Sequence, residues 1–77
     1  MRNIGKEIEK KLNFIGIFSA EELIEVGSKD AFLRLKINHP NLCAVHLYAL
    51  QGAIDDIEYN RLTDEIKDDL KAFCNNL

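Results

Sequence analysis

Residues 42–57, LCAVHLYALQGAIDDI, form the most apolar run of this sequence and contain no Lys, Arg, Asp or Glu before Asp55. Read at the 3.6-residue period of an α-helix, the apolar side chains cover well over half of the helix circumference. Such a helix needs other helices around it. The run extends about 24 Å at the rise of an α-helix and ends in carboxylates, so it is too short and too polar to cross a bilayer. The sequence therefore predicts an all-α bundle around a buried core helix at about 41–57.

The length and the charge of the chain limit its organisation. Seventy-seven residues fit a single domain, 1–77, of a size at which one core needs well-packed helices or association with another chain. The formal net charge is −3, but residues 1–38 carry seven Lys/Arg against six Asp/Glu, whereas residues 39–77 carry three against seven. A nucleic-acid-binding surface is therefore expected, if there is one, in the first half of the chain.

The cysteines and the N-terminal residues indicate a cytoplasmic protein. Cys43 and Cys74 are too few for a disulfide scaffold and have no C-x-x-C spacing, which is typical of reduced thiols in a cytosol. The first twelve residues, MRNIGKEIEKKL, lack the apolar segment of a signal peptide. We expect no contact with a membrane.

The N-terminal half contains the clearest local signals. An apolar series spaced four, four and three residues apart predicts a first amphipathic helix, which Gly16 ends by taking a left-handed conformation; the series is Ile4, Ile8, Leu12 and Ile15. Ser19 then has the position of an N-cap, and Glu22 that of its partner in a capping box. Phe18 and Leu23 fit the two halves of a hydrophobic staple. A second helix is therefore predicted from Ala20.

Three further boundaries complete a bundle of about five helices joined by short loops. Gly27 is expected to end the second helix, and Ser28 to cap the third. Pro40 interrupts the third helix and suits the first turn of the core helix. After a linker around residues 58–60, spacings of four, four, three and four predict a last amphipathic helix with Leu62, Ile66, Leu70, Phe73 and Leu77 on its apolar face.

Gly52 interrupts the core helix at a cost of roughly 1 kcal/mol relative to Ala. Together with Ala44, Ala49 and Ala53 it predicts a thin face against which the backbone of another helix packs closely. The alternative is a hinge, but an isolated glycine in a helix more often has a packing reason.

Two sets of motifs resemble a known family. Residues 3–6 (NIGK), 15–17 (IGI) and 19–23 (SAEEL) resemble a helix-hairpin-helix-related pattern, although Asn3 stands where the first glycine of the phosphate-binding version would be. The continuation, with Gly27, residues 30–32 (DAF), 40–41 (PN) and 47–54 (LYALQGAI), resembles the C-terminal domain of the TfoX (Sxy) family of bacterial competence regulators over about residues 2–73. This resemblance implies an all-α, SAM-like domain with no catalysis and no cofactor, in a family linked to the regulation of DNA uptake.

The start of the first helix is the candidate phosphate site. A helix N-terminus after a tight turn offers backbone N–H groups and a positive pole to a phosphate oxygen. Asn3 and Gly5 form that turn, and cations at i, i+4 and i+8 line the same side of the helix: Arg2, Lys6 and Lys10. The acidic residues at positions 7 and 9 lie among them, and mixed charge is more typical of a solvated face. Weak, non-specific binding of DNA phosphates through these five residues is therefore the alternative function.

Metal and catalytic sites are not predicted. Cys43 and His46, with His39 and Cys74, are side chains that bind zinc, but their spacing matches no recognised zinc pattern. A buried Cys43 thiol and a histidine at a helix edge explain them as structural residues. Two histidines without a nucleophile motif are not a catalytic signal, and the carboxylates of the second half fit the wet faces of helices.

Association is the function class that remains, and we expect a protein-interaction module. The chain has more large apolar residues than five short helices need to bury, namely Phe14, Ile17, Phe18, Tyr48, Tyr59, Phe73 and Leu77. An exposed apolar patch is therefore predicted, facing an unidentified protein partner or a second copy of the chain in a homodimer.

Replacing Ser19 with Ala removes the predicted cap of the second helix and is expected to lower the free energy of unfolding by about 1 kcal/mol. An exposed ion pair contributes only about 0 to 1 kcal/mol, so the loss of the cap should exceed the loss of a typical surface pair. Denaturant titrations of both proteins measure the difference. An unchanged midpoint would show that the helix starts elsewhere.

Overall fold

The computed structural model describes all 77 residues and contains five α-helices, one 3₁₀ turn and no strand. The helices are α1 (Lys6–Phe14), α2 (Ala20–Val26), α3 (Ser28–Asn38), α4 (Ala44–Asp55) and α5 (Asp64–Asn75), and the 3₁₀ turn spans Tyr59–Arg61. The predicted all-α class is confirmed. None of these helices combines the length and the apolarity that a membrane crossing requires.

The core helix is α4, which packs against α2, α3, α5 and the 3₁₀ turn. Leu47 and Leu50 on this helix are completely buried, and Gly52 and Ala53 are nearly so. The prediction of a central buried helix is confirmed, since three α-helices and the 3₁₀ turn surround it. Leucines from every other helix, and Leu62 before α5, fill the space around it.

The bounds of α4 differ from the prediction of about 41–57. Pro40 lies in a separate turn, in which the Leu42 N–H donates to the His39 carbonyl at 3.1 Å, and the helix begins only at Ala44. At the other end Asp56 adopts the left-handed conformation with φ of 56°, so the helix ends at Asp55. The sequence did not indicate this end because the left-handed residue is an aspartate and not the usual glycine.

Gly16 ends α1 as predicted, with φ of +88°. Its N–H donates to the Asn13 carbonyl at 3.0 Å, and the Ile17 N–H donates to the Leu12 carbonyl at 2.9 Å. These two bonds define a Schellman motif, and Leu12 and Ile17 supply its apolar contact because both are buried in the core.

The start of α2 confirms Ser19 as the N-cap, since its Oγ accepts from the Glu22 N–H at 3.2 Å. The rest of the predicted motif differs. The Glu22 carboxylate accepts from the N–H of Phe18 and not from that of Ser19, at 3.3 Å. Phe18 is 67% exposed whereas Leu23 is fully buried, so the expected hydrophobic staple adds little burial.

One glycine joins α2 to α3. The Gly27 N–H donates to the Leu23 carbonyl at 2.8 Å, and its own carbonyl accepts from the Ala31 N–H at 3.0 Å, so it ends one helix and begins the next. The prediction that Ser28 caps α3 was wrong. Ser28 is the first residue of the helix, and its buried hydroxyl donates to Gln51 Oε1 on α4 at 2.6 Å.

The last helix keeps its predicted apolar face, with Leu70 buried and Ile66 and Phe73 partly buried, while Leu77 is left 56% exposed beyond its end. Thr63 caps this helix, because its Oγ1 accepts from the Ile66 N–H at 3.2 Å. This cap was not predicted, although Thr followed by two acidic residues is a typical helix start.

Gly52 is surrounded more closely than any other glycine of the chain. A Cβ atom built there would lie 2.7 Å from the Ile57 carbonyl oxygen and 3.3 Å from the Tyr59 nitrogen, and it would overlap the Asn3 side-chain amide. The expected packing reason is therefore present. The backbone that packs on Gly52 belongs to the segment just after α4, and not to another α-helix as predicted.

Gly52→Ala is expected to destabilise the protein by about 1 to 3 kcal/mol, because overpacking outweighs the gain of about 1 kcal/mol that Ala normally brings to a helix. Thermal and denaturant unfolding measure the change. Gly5→Ala is the control, since a Cβ there meets no atom within 4 Å. Equal or higher stability of Gly52→Ala would show that residues 57–59 yield without cost.

Candidate functional site

The N-terminal turn is the first candidate, since it was predicted to bind phosphate. Asn3 adopts the left-handed conformation with φ of 68°, and the Ile4 N–H donates to the Met1 carbonyl at 3.3 Å. Asn tolerates this conformation better than most residues do. The turn places the Asn3 side chain beside Gly52, at the end of α4.

Both polar atoms of the Asn3 amide form hydrogen bonds within the protein. Its Nδ2 donates to the Ile57 carbonyl at 2.8 Å, and its Oδ1 accepts from the Tyr59 N–H at 3.1 Å. This one side chain thus supplies backbone-like pairing to a segment 54 to 56 residues further along the chain. Its role in the structure is to attach the N-terminus to the junction between α4 and the 3₁₀ turn.

Arg2 lies at the same junction and pairs with Asp56, with 3.3 Å between Nε and Oδ1. The side chains are 47% and 84% exposed, so the pair is worth at most about 1 kcal/mol. Asp56 and Asn3 are the only non-glycine residues with positive φ, and both belong to this junction. The charge of Arg2 is therefore directed toward a carboxylate of its own chain.

The other three predicted phosphate-site residues face solvent. Gly5 precedes α1 and has no side chain to cap it, so the backbone N–H groups at positions 6 to 8 have no acceptor within the protein. Lys6 and Lys10 are exposed and one turn apart, with Glu7 and Glu9 in the same stretch. The structure thus groups Gly5, Lys6 and Lys10, and it turns Arg2 and Asn3 toward residues 56–59. Phosphate binding remains a prediction.

Cys43 and His46 form a local pair at the start of α4. Cys43 is exposed, so the expectation of a buried thiol was wrong. His46 Nδ1 accepts from the Cys43 N–H at 3.2 Å and lies 3.5 Å from the thiol sulfur. The imidazole therefore closes the first turn of α4, as a Glu would in a capping box. No group of three or more His, Cys, Asp or Glu side chains has an arrangement that suits a metal ion.

The predicted excess of apolar residues is partly exposed. Ile17 is buried and Tyr48 and Phe73 are partly buried, while the exposed members are Phe14, Phe18, Tyr59 and Leu77. Ile37, which the sequence analysis did not single out, is 80% exposed. In the sequence, Ile37 stands four residues after Leu33, which places both apolar side chains on one face of α3. Both are exposed.

A shallow groove lies where the C-terminal ends of α1 and α3 meet. We call it the Phe14 groove; it has a volume of about 380 Å³ and is lined by Lys10, Lys11, Phe14, Asn38 and His39. Phe14 is 79% exposed, and Ile37 immediately precedes the groove residues of α3. The groove therefore combines an exposed aromatic ring with two cations.

Comparison with known proteins gives a family and a fold. A family model described as the TfoX C-terminal domain matches residues 1–74. A crystal structure of an uncharacterized protein from Listeria monocytogenes, in a triclinic form, matches with a TM-score of 0.96 and 42% identity, over 99% of this chain and 86% of that chain. A protein of unknown function from the same organism, in a tetragonal form, matches with a TM-score of 0.92 and 43% identity, over 96% of this chain and 90% of that chain. No curated protein matches.

Asn3→Gly is expected to lower the free energy of unfolding by about 1 to 3 kcal/mol, because it leaves the Ile57 carbonyl and the Tyr59 N–H without the amide that pairs them. Glycine keeps the left-handed backbone, so the change isolates the two hydrogen bonds. Asn3→Ala should cost about 1 kcal/mol more, since Ala disfavours that conformation.

Denaturant titrations measure both changes, with Asn41→Ala as the control. Asn41 is exposed, and its side chain has no hydrogen-bond partner in the protein. A wild-type midpoint for Asn3→Gly would contradict the structural role given to this amide.

Proposed function

This chain belongs to the TfoX C-terminal domain family, and we propose that it is a small non-catalytic regulatory module that acts by binding another protein. The observation that carries the proposal is Phe14, which is 79% exposed and lies in a groove beside Lys10 and Lys11.

The core is complete without Phe14. Twelve buried apolar residues form it, and Leu12 and Ile17 bury the apolar face at the end of α1. Full burial of a Phe side chain is worth about 1.5 to 3 kcal/mol, so burial of the exposed Phe14 ring in an interface would stabilise a complex by a similar amount. An aromatic residue in a concave site with charged neighbours at the rim is also the usual composition of an interaction hot spot.

The groove favours a partner that presents an apolar side chain next to carboxylates. Lys10 and Lys11 supply the positive charge, and a stable interface buries about 800 Å² on each side. That area is larger than the groove alone, so the contact is expected to extend to Ile37 on α3. A second copy of the chain is one partner of this kind, because its residues 39–77 carry three Lys/Arg against seven Asp/Glu.

Weak binding of DNA phosphates is the alternative function. The unpaired N–H groups at the start of α1 support it, together with the exposed Lys6 and Lys10. The pairing of Arg2 with Asp56 and the engagement of Asn3 weaken it. Three phosphate contacts would give a salt slope of about −2.7, which is roughly a forty-fold loss of affinity between about 50 and 200 mM salt.

Phe14→Ser is expected to weaken partner binding at least about tenfold, because it removes the central aromatic contact, whereas Arg2→Glu combined with Lys6→Glu should leave binding unchanged. Phe18→Ser is the matched control, since Phe18 is also an exposed phenylalanine but lies outside the groove. A photo-crosslinking amino acid at position 14 identifies the partner. The purified partner is then titrated with each variant. Sedimentation of the chain alone tests a second copy as the partner.

The DNA alternative is tested on the same proteins. Amide shifts confined to residues 2–10 on addition of a short DNA duplex at low salt, and their loss in the double charge reversal, would favour DNA binding.

Equal partner affinity of Phe14→Ser and wild type would overturn the interaction site proposed here.

A further inference from the structure

A second and larger groove lies between α2 and α5. Its volume is about 680 Å³, and it shares no residue with the Phe14 groove. Both helices pack against α4, and the groove runs between them. Its apolar lining comes from Ile24 and Val26 of α2, Ile54 of α4, and Ile66 and Leu70 of α5. Ile24 is 53% exposed there.

The polar side chains on the floor of this groove already have partners. The Ser28 hydroxyl donates to Gln51 Oε1 at 2.6 Å, and Gln51 Nε2 donates to Asp55 Oδ2 at 3.0 Å. No buried side-chain nitrogen or oxygen in the protein lacks a hydrogen bond. The side chains of the floor therefore offer apolar contact. The unpaired donors at the groove are the backbone N–H groups of residues 28 to 30 at the start of α3, and the Asp30 carboxylate lies in the same first turn.

The rim of the groove is acidic. Asp30, Glu65 and Asp69 line it with a single cation, Lys29. Lys29 Nζ lies 2.8 Å from Asp69 Oδ2 and 5.4 Å from the centroid of the Phe73 ring, so this cation is held at the α5 side. Asp30 pairs with Arg34 at 3.5 Å, whereas Glu65 has no ion-pair partner. Net negative charge with one free carboxylate favours a cationic occupant.

We propose that this groove docks a basic amphipathic helix of another protein, with aliphatic side chains on the apolar floor and Lys or Arg beside Glu65. A helix presents such side chains at i, i+3, i+4 and i+7, which suits a groove bordered by two helices. This chain has no strand to which an extended peptide could add. The inference goes beyond the proposed function and does not depend on it, because the two grooves have no residue in common.

A second copy of the chain is a poor occupant. Its most basic helix is α3, with three Lys/Arg against one Asp, but the apolar face of α3 is used inside its own core, where Phe32 and Leu35 are buried. Only Leu33 and Ile37 among the apolar residues of α3 are exposed, which is fewer apolar side chains than a docked helix presents. The copy would have to unfold that face in order to place it in the groove. A separate partner whose basic helix has a free apolar face meets no such cost.

The test uses a labelled synthetic helix of about 15 residues, with Leu at i, i+3, i+4 and i+7 and Lys on the flanks, and a matched peptide in which Glu replaces Lys. Fluorescence anisotropy with the full chain should show about tenfold tighter binding of the Lys peptide at low salt, and a smaller difference at high salt. Amide shifts should centre on Ile24, Ser28 and Glu65.

Two substitutions with matched controls locate the site. Glu65→Lys is expected to weaken binding of the Lys peptide about five- to tenfold, whereas Glu21→Lys, also in the first turn of a helix but outside the groove, should not. Ile24→Ser should weaken binding of both peptides, whereas Val45→Ser, at a similarly exposed residue outside both grooves, should weaken neither. All four positions are exposed, and thermal unfolding verifies that each variant is folded.

Equal affinity for the Lys and Glu peptides would overturn the proposal, as would shifts centred on the Phe14 groove. Concentration-dependent self-association that Glu65→Lys abolishes would also overturn it, because the occupant would then be a second copy. These outcomes are independent of the Phe14→Ser experiment, since that substitution leaves this groove unchanged.

Discussion

Burial of α4 is the constraint on which the rest of this structure depends. A chain of 77 residues has a small core, and α4 reaches it by packing against α2, α3, α5 and the 3₁₀ turn at once. The other helices are short and amphipathic, and each gains most of its stability from the face that it turns toward the core. A change that moves α4 would therefore disturb α2, α3 and α5 together, whereas a change at an exposed helix end would remain local.

The junction at Gly52 shows how this packing affects function. Because Gly52 has no side chain, the segment after α4 returns close to the helix, and the Asn3 amide bonds to Ile57 and Tyr59 on that segment. The residue that stands in place of the first glycine of a phosphate-binding hairpin thus has a structural role. The candidate phosphate surface therefore consists of Gly5, Lys6 and Lys10. The two grooves are the stronger candidates for a functional surface.

The charges of the two grooves follow those of the two halves of the chain, one basic and one acidic. The Phe14 groove is lined by Lys10 and Lys11 from the basic half, while the groove between α2 and α5 takes Glu65 and Asp69 from the acidic half. Both combine exposed apolar surface with charge at the rim, and neither contains a buried side-chain nitrogen or oxygen without a hydrogen bond. This combination suits selection of helices and surfaces of opposite charge better than it suits chemistry on a small substrate.

The sequence by itself determined most of the features whose partners lie within about five residues of each other along the chain, since a local hydrogen bond or turn needs only local information. These include the helical class, the cap at Ser19 and the Schellman motif at Gly16. Tertiary structure alone decided the features with distant partners. Asn3 bonds 54 to 56 residues away, and Ser28 turns from a predicted cap to Gln51, 23 residues away. The exposure of Phe14 and the burial of Ile17 have the same origin, because neither residue belongs to the apolar series of the first helix, and only the packing of the neighbouring helices decides which of the remaining apolar side chains is covered.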